Sequence, residues 1–196
     1  MSKRLFDLMV ASAGLVILSP LLLWIGAWIK WDSPGPVLFL QQRVGRRGRL
    51  FNIFKFRTMH LRTDPGAQLT VGRDSRITAA GHFLRRHKLD ELPQLINVLL
   101  GSMSLVGPRP EVPRYVACYP ADMRAIVLSV APGITDWAAI EYKDENILLA
   151  ASRDPERAYI EQILPEKLRY YARYVSERNF WVDLRILFRT LAVIVR

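Results

Sequence analysis

The residues best suited to chemistry lie in the stretch "RRHKLDELP", residues 85–93. Its two adjacent carboxylates, Asp90 and Glu91, directly follow a cluster of cations. An aspartate that attacks phosphorus must stay charged while the charge of the phosphate is neutralised, and a helix N-terminus with nearby cations provides both conditions. The pair therefore predicts either a covalent aspartyl nucleophile at Asp90 or a helix cap, a common role of acidic residues at helix starts.

Cations on both sides of the carboxylate pair supply the charge that a phosphate needs. Arg85 precedes the pair, and Arg109 follows it in "GPRP", where Pro108 and Pro110 restrict the backbone to a stiff, extended course. Both arginines are candidate bidentate ligands of phosphate oxygens. Mg²⁺ usually takes one or two carboxylates together with substrate phosphates, so the carboxylate pair is also a candidate Mg²⁺ site.

The two runs that flank "GRRGR" predict the element that carries further cations. Residues 37–44 and 50–59 are rich in branched and aromatic residues and are separated by a glycine-containing turn, which predicts a β-hairpin. Lys55 and Arg57 alternate with other residues and should share one face of the second strand. That face is either simply solvated or binds phosphate, and both residues are candidate phosphate ligands.

Apolar residues at helical spacing surround the carboxylate pair. Residues 77–89 predict a short helix, and residues 90–101 predict a second helix with Asp90 at or near the N-cap and Pro93 in the first turn. Residues 60–76 predict a loop. Together with the hairpin, these elements predict an α+β fold that is mainly α.

Residues 8–29 contain 22 positions without a charge, enough for a helix of about 33 Å, the thickness of a bilayer core. Pro20 lies at the midpoint and removes one backbone hydrogen bond, while the neighbouring Ser19 can bond a freed backbone group. Both flanks are basic, which would keep both ends on the cytoplasmic side. The residues alone leave two readings equally open, a single-pass anchor and a helix that enters one leaflet and returns.

The C-terminal stretch from residue 165 alternates apolar and aromatic patches with Arg and Lys. Its aromatic residues near arginines suit a membrane–water interface, although a helix packed on a soluble core has a similar composition. The residues predicted to lie at the interface are Tyr170, Tyr171, Tyr174, Phe180 and Trp181.

The charge distribution limits the class of partner. The formal net charge is +10, and residues 41–90 hold twelve Lys and Arg against three Asp and Glu. Such an excess favours nucleic acid, an anionic membrane or phosphorylated substrates. The cations are not interleaved with aromatics in a nucleic-acid motif, so we expect no nucleic-acid partner. The single cysteine, Cys118, excludes an internal disulfide framework.

Four long motifs occur in an order that is specific to one family. They are "KRLFDLMVASAGLVILSPLLL", "PGPVLFLQQRVGRRGRLFNIFKFRTM", "KLDELPQLINVLLGSMSLVGPRP" and "APGIT". They closely resemble the bacterial sugar transferase family, monotopic phosphoglycosyl transferases of the small catalytic-core type that begin glycan assembly on a polyprenyl phosphate. The resemblance covers about residues 2–135 and returns in "FWVDLRILFRTL" near the end.

The resemblance implies a membrane-embedded fold without a full span. Residues 1–31 would form a re-entrant helix broken at Ser19 and Pro20, and residues 32–196 a catalytic domain at the membrane interface. Interfacial amphipathic helices and a helix-associated β-hairpin complete the implied fold. The implied location is the cytoplasmic face of the bacterial inner membrane, in contact with membrane lipids, and the oligomeric state stays open.

The resemblance also implies a reaction and roles for its residues. A phospho-sugar would move from a nucleotide sugar, usually UDP-linked, to undecaprenyl phosphate, with release of UMP. Asp90 would form the covalent phospho-sugar intermediate, and Glu91 would help to hold Mg²⁺ or assist proton transfer. Arg85 matches the arginine five residues before the aspartate, and residues 108–110 match the Pro-Arg-Pro element of the family.

The chain departs from the family pattern after "PGIT", where "DWAAIEYKDENILLA" replaces a segment with glycine and glutamine. Lys88 also stands where serine or threonine often precedes "LDELP". The residues alone leave two other classes open. One is a non-catalytic, membrane-anchored basic module, and the other is a glycosyltransferase that moves the sugar alone and releases UDP.

Overall fold

A computed structural model of the chain describes residues 3–61, 74–143 and 145–195. Within these ranges the fold is α+β and mainly α, as predicted. The predicted loop over residues 60–76 lies mostly outside the described residues. The elements are α1 (Lys3–Asp32), β1 (Leu38–Val44), β2 (Leu50–Phe56), α2 (Ala79–Arg86), α3 (Gln94–Leu100), β3 (Ser104–Val106), α4 (Pro113–Val116), α5 (Ala121–Val127), β4 (Gly133–Thr135), α6 (Trp137–Glu141), α7 (Glu145–Ala150), α8 (Pro155–Ala158), α9 (Leu164–Glu177) and α10 (Phe180–Val195).

Helix α1 confirms the predicted apolar N-terminal helix and continues through Pro20. Among the described residues, α1 is the helix whose length and composition suffice to cross a membrane. Proline at position 20 leaves the carbonyl of Val16 without its usual partner. The hydroxyl of Ser19 donates to that carbonyl at 2.8 Å. The Ser-Pro pair therefore replaces one helical hydrogen bond without leaving a bare carbonyl in an apolar segment. The predicted break at Ser19 and Pro20 is not present, because α1 is one continuous helix, and a membrane kink at this pair stays a prediction.

Both ends of α1 contact the same folded body. At the N-terminal end, the Arg4 guanidinium donates to the carbonyls of Val98 and Leu99 at the end of α3, at 2.6 and 3.0 Å. At the C-terminal end, the Asp32 carboxylate accepts from the backbone N–H of Ala80 in the first turn of α2, at 3.2 Å. The middle of α1 instead leaves large apolar side chains exposed, with Ile17 at 74%.

Strands β1 and β2 form the predicted antiparallel hairpin, with Phe39 opposite Lys55. Helix α3 is attached to β2 through one buried side chain, Asn97. Its Oδ1 accepts from the N–H of Phe54 at 2.9 Å, and its Nδ2 donates to the carbonyl of Asn52 at 2.8 Å. The amide thus continues the strand's hydrogen bonding into the helix and fixes the hairpin against α3.

The segments that contain "GPRP" and "APGIT" form a second sheet that the sequence did not predict. Strands β3 and β4 are parallel, with Ser104 opposite Gly133. The two backbones cross so closely that a Cβ atom on Gly133 would lie 2.0 Å from the backbone nitrogen of Gly107. A Cβ atom on Gly107 would lie 2.6 Å from the carbonyl oxygen of Ala131. Glycine is therefore required at both positions, because each obstacle is backbone.

The aromatic residues that were predicted to lie at a membrane interface differ in exposure between the two C-terminal helices. Tyr171 and Tyr174 of α9 are each 1% exposed and belong to the core, so their prediction as interface residues is wrong. The Tyr174 hydroxyl donates to the Asp183 carboxylate at 2.8 Å. Phe180 and Trp181 of α10 are exposed, Trp181 at 74%, and their place at a membrane interface stays a prediction.

Candidate active site

A cavity of about 740 Å³ lies between the hairpin, α2, the Pro-Arg-Pro segment and helices α6 and α9. This volume falls in the range of small-molecule sites. The predicted phosphate ligands and catalytic residues all line it, although they come from four separate parts of the chain. They are Lys55, Arg57, Arg85, Asp90, Glu91 and Arg109.

The carboxylate pair lies on a tight 3₁₀ turn, Leu89–Glu91, that precedes α3. The predicted N-cap at Asp90 is wrong, since α3 begins at Gln94 and is preceded by Pro93. Lys88 explains the difference, because its backbone is left-handed (φ 56°, ψ 21°) and ends the preceding helical course. A left-handed lysine is uncommon and strained. This conformation of Lys88 places the two carboxylates on a separate turn that lines the cavity, and not in the first turn of α3.

Glu91 is held by two cations. The Lys55 ammonium donates to Oε1 of Glu91 at 2.9 Å, and the Arg109 guanidinium donates to both of its oxygens, at 3.0 Å to Oε2. Burial of Glu91 disfavours its charged form, but the charges of Arg109 and Lys55 outweigh burial and hold the pKa of this carboxyl well below its usual value. Glu91 is therefore ionised and also a weak base.

Asp90 has a different environment, although it is the next residue. Its side chain makes no hydrogen bond or ion pair with any residue in the described ranges, and the residue is only 8% exposed. Burial and then the charge of Glu91 raise the pKa of Asp90, against the opposing effect of Lys55, Arg85 and Lys88. A buried carboxylate without a partner in a basic cavity retains the lone pairs that a nucleophile or a metal ligand needs.

Arg85 is oriented toward the cavity by one hydrogen bond. Its Nε donates to Oγ1 of Thr58 at 2.9 Å. Its two terminal nitrogens have no partner in the part of the chain that the structure describes. The planar end of the guanidinium can therefore meet two oxygens of one phosphate, the arrangement that favours arginine over lysine at such sites.

Arg57 makes contacts of another kind. Its guanidinium donates to the carbonyl and hydroxyl of Ser33 at 2.8 and 2.7 Å and to the carbonyl of Pro36 at 2.6 Å. These bonds hold the chain where it leaves α1 and enters β1. These contacts favour a structural role for Arg57. Lys55, two residues earlier, is instead paired with Glu91 of the carboxylate pair.

The Pro-Arg-Pro segment is fixed through its carbonyls. The carbonyl of Pro108 accepts from the N–H of Gly133 at 2.9 Å, and the carbonyl of Pro110 accepts from the Arg43 guanidinium at 3.0 Å. Prolines at 108 and 110 restrict the backbone on both sides of Arg109. Arg109 is thus held on a rigid segment, as predicted.

A buried network around Glu111 was missed in the sequence. The Tyr159 hydroxyl donates to Oε1 of Glu111 at 2.6 Å, and the Arg43 guanidinium lies 3.4 Å from its Oε2. Burial opposes the charge of Glu111, but Lys167 and Arg43 lower the pKa of this carboxyl. The signal was available, because Glu111 follows Pro110 directly and Arg43 alternates with Gln41 along β1.

The far wall of the cavity is built from the segment that departs from the family pattern. Asp136 caps α6 by accepting from the N–H of Ala139 at 3.0 Å, and burial raises the pKa of Asp136 to about 6. Lys167 of α9 and Glu145 of α7 also line the cavity and form an ion pair at 2.6 Å. Tyr142 also lines this wall, which therefore combines charged and aromatic groups.

Comparisons with known proteins agree with the motif order. The family described as bacterial sugar transferase matches residues 1–196. The chain is 38% identical to the UDP-N-acetylgalactosamine-undecaprenyl-phosphate N-acetylgalactosaminephosphotransferase of Aeromonas hydrophila, over 98% of this chain and 43% of that protein. It is 36% identical to the UDP-glucose:undecaprenyl-phosphate glucose-1-phosphate transferase of Escherichia coli K12, over 96% of this chain and 39% of that protein. It is also 36% identical to the transferase of the same name from Caulobacter vibrioides, over 96% of this chain and 68% of that protein. The chain thus spans about two fifths of the length of the first two relatives.

Proposed function

Since the chain belongs to the bacterial sugar transferase family, we propose that it transfers a sugar phosphate from a UDP-sugar to undecaprenyl phosphate. The printed activities of the relatives name this donor class and this acceptor. One observation supports the proposal most strongly. In a cavity of suitable size, Asp90 is buried without a partner among the described residues, beside a Glu91 that two cations hold in place.

The proposed reaction has two displacements at one phosphorus. A carboxylate oxygen of Asp90 attacks the phosphorus that bears the sugar, the bond from that phosphorus to the bridging oxygen breaks, and UMP leaves with the bonding electrons. A phosphate oxygen of undecaprenyl phosphate then attacks the same phosphorus. The bond to Asp90 breaks, which restores the carboxylate and gives undecaprenyl diphosphate sugar.

The surrounding residues neutralise and orient the phosphates in this scheme. Arg85 presents to the diphosphate its terminal nitrogens, which are unpaired within the described ranges. Arg109 and Lys55 keep positive charge at the phosphorus, and Glu91 holds both in position. Because the pKa of Glu91 lies well below its usual value, we assign it this positioning role and not proton transfer.

Mg²⁺ fits the same donor set. Asp90 has carboxylate oxygens without partners among the described residues, whereas both oxygens of Glu91 already accept from cations. Within the described ranges no group of three or more His, Cys, Asp or Glu could hold a metal. We therefore propose that Asp90, together with donor phosphate oxygens, holds Mg²⁺, which when bound neutralises diphosphate charge.

The identity of the nucleotide released tests this function. The chain is incubated with a panel of UDP-sugars and undecaprenyl phosphate, and the products are separated. UMP and a lipid diphosphate sugar are expected. Release of UDP would instead indicate a transferase of the sugar alone. If no UDP-sugar yields either nucleotide and the protein binds anionic vesicles with a steep dependence on salt, it is a binding module.

We also propose that α1 is re-entrant and that the catalytic domain lies at the cytoplasmic face of the inner membrane. A helix that crosses the bilayer separates its ends by about 30 Å of hydrocarbon. Here Arg4 and Asp32, at opposite ends of α1, both bond to the same body. In a Cys118→Ser background, cysteines placed by Ser2→Cys and Trp31→Cys should react with an impermeant reagent from the same side of the membrane. Reaction from opposite sides would establish a single-pass anchor.

A further inference from the structure

Four aromatic rings form a continuous row on the surface between α1 and α2. The ring centroids of Trp24 and Trp28, one turn apart on α1, are separated by 5.2 Å. Trp28 lies 5.4 Å from Phe83 of α2, and Phe83 lies 4.2 Å from His87. These four residues are called the aromatic row below.

The row runs from the apolar helix to His87, which lies in the chain between two residues that line the cavity, Arg86 and Lys88. Trp24 belongs to the apolar half of α1 that follows Pro20, and His87 directly precedes Lys88, which lines the cavity together with Asp90. The His87 ring is fixed in this position, because its Nδ1 lies 2.9 Å from the carbonyl of Phe83. The row therefore begins in the segment that meets lipid and ends three residues from the proposed nucleophile.

Two rings of the row are exposed and two, Trp28 and His87, are half-buried, whereas a packing role would bury all four. Trp24 is 58% exposed and Phe83 is 44% exposed. Rings that only anchor a protein in a bilayer lie at one level along the interface. These rings form a chain of contacts from the apolar helix to His87, whose neighbours Arg86 and Lys88 line a basic cavity. An apolar track that leads to a cationic end matches a ligand with a long apolar chain and one anionic head.

We propose that the aromatic row binds the isoprene units nearest to the phosphate of the polyprenyl phosphate acceptor, and that it directs this phosphate past Lys88 to Asp90. The proposal rests on the transferase function proposed above and adds the residues that receive the lipid. Branched alkene units pack well on aromatic faces and edges, and the contact removes apolar surface of both partners from water or headgroups. The phosphate then meets the cations at the mouth of the cavity.

The row predicts an effect confined to the second displacement. Attack of Asp90 on the donor phosphorus takes place without acceptor, so UMP release in a single turnover should not depend on the row. Loss of one ring should raise KM for undecaprenyl phosphate about tenfold, the expected effect of losing a ring-sized apolar contact. KM for the UDP-sugar should stay within a factor of two.

The experiment compares Phe83→Ala with Phe83→Leu and Trp181→Ala in detergent micelles. Phe83→Leu keeps apolar volume and should restore most of the acceptor affinity. Trp181 is exposed on α10, outside the row, and serves as the matched loss of an interfacial ring. We expect Phe83→Ala alone to raise KM for the acceptor, and all three variants to release one equivalent of UMP from the donor at the rate of the unmodified chain.

Two results would overturn the aromatic row as a lipid site. One is an equal rise in acceptor KM for Phe83→Ala and Trp181→Ala, which would make the rings bilayer anchors. The other is a slowing of single-turnover UMP release by Phe83→Ala that matches its loss of turnover with acceptor, which would make Phe83 a support of the carboxylate pair. Failure of the proposed function is distinguishable from both, since the unmodified chain would then release no UMP at all.

Discussion

The two carboxylates of the 89–91 turn are neighbours in the chain and opposites in environment. On one side of the turn, Glu91 accepts from Lys55 and Arg109 and its pKa is well below normal. On the other side, Asp90 has no partner among the described residues, and burial raises its pKa. The difference shows how one turn separates a carboxylate paired with two cations from one that is unpaired among the described residues. The cations are fixed on Glu91, and Asp90 remains available to a substrate.

The largest effect is expected when the free carboxylate is removed. Asp90→Asn keeps the shape of the side chain but cannot bond covalently to phosphorus, so turnover should fall by at least about 10³-fold. The free energy of unfolding should stay the same or rise, because an unpaired buried charge is lost. Turnover and chemical denaturation measure both, with Asp122→Asn on the exposed face of α5 as the control. Full turnover in Asp90→Asn would refute the nucleophile.

The paired carboxylate should respond in the opposite way. Glu91→Gln leaves Lys55 and Arg109 without their negative partner, so we expect the free energy of unfolding to fall by about 3 kcal/mol. Turnover should fall by about 10²-fold, since the two cations lose their positions. Glu177→Gln removes an exposed pair with Arg173 and should cost under about 0.5 kcal/mol. Equal stability losses in the two variants would show that the buried pair does not organise the site.

The pH dependence of the reaction sharpens the contrast further. In the proposed mechanism Asp90 has to be ionised to attack, and its pKa is raised, so activity should be lost on acidification at a higher pH than for an ordinary aspartate. Arg85 opposes this rise, and Arg85→Gln should therefore move the acid limb of kcat/KM to still higher pH. Arg169→Gln, on the exposed face of α9, should leave the limb in place. A limb that moves to lower pH in Arg85→Gln would contradict the assignment.

The smallest effect on turnover is expected from a change at Glu111, which supports the segment that carries Arg109. Glu111→Gln weakens the contacts that hold the Pro-Arg-Pro segment to Arg43 and Tyr159. Arg109 should then sample more positions, and kcat should fall by about tenfold while the acid limb, which reports Asp90, stays where it is. Glu161→Gln breaks only an exposed pair with Arg157 and should change neither quantity. A shifted acid limb in Glu111→Gln would place Glu111 in direct electrostatic contact with the nucleophile.

Much of the site could be predicted from local patterns. Alternation and a glycine-containing turn predicted the hairpin that carries Lys55, and the prolines predicted a rigid Arg109. The left-handed backbone of Lys88 could not be predicted, because lysine rarely adopts it and the strain is maintained by tertiary contacts. The α-helix was consequently expected to begin at Asp90, four residues before its observed start at Gln94.

The remaining differences have two physical causes. Arg57 donates to the backbone carbonyls of Ser33 and Pro36. Every residue has a backbone carbonyl, so residue types cannot predict such partners. Tyr171 and Trp181 occur in similar surroundings of aromatic and basic residues, yet one is buried in the core and the other is exposed. Composition cannot separate a helix that faces the core from a helix that faces lipid when both alternate arginine with aromatic residues.

The crossing of Gly107 and Gly133 constrains how this site can be recombined with those of relatives. Each glycine is opposed by the backbone of the other segment, so no second substitution of a side chain can relieve a Cβ added at either position. The strand that leads into Arg109 and the strand that leads into α6 therefore have to be inherited together. Chimeras that exchange this part of the cavity wall should succeed only when residues 104–111 and 131–136 are transplanted as one unit.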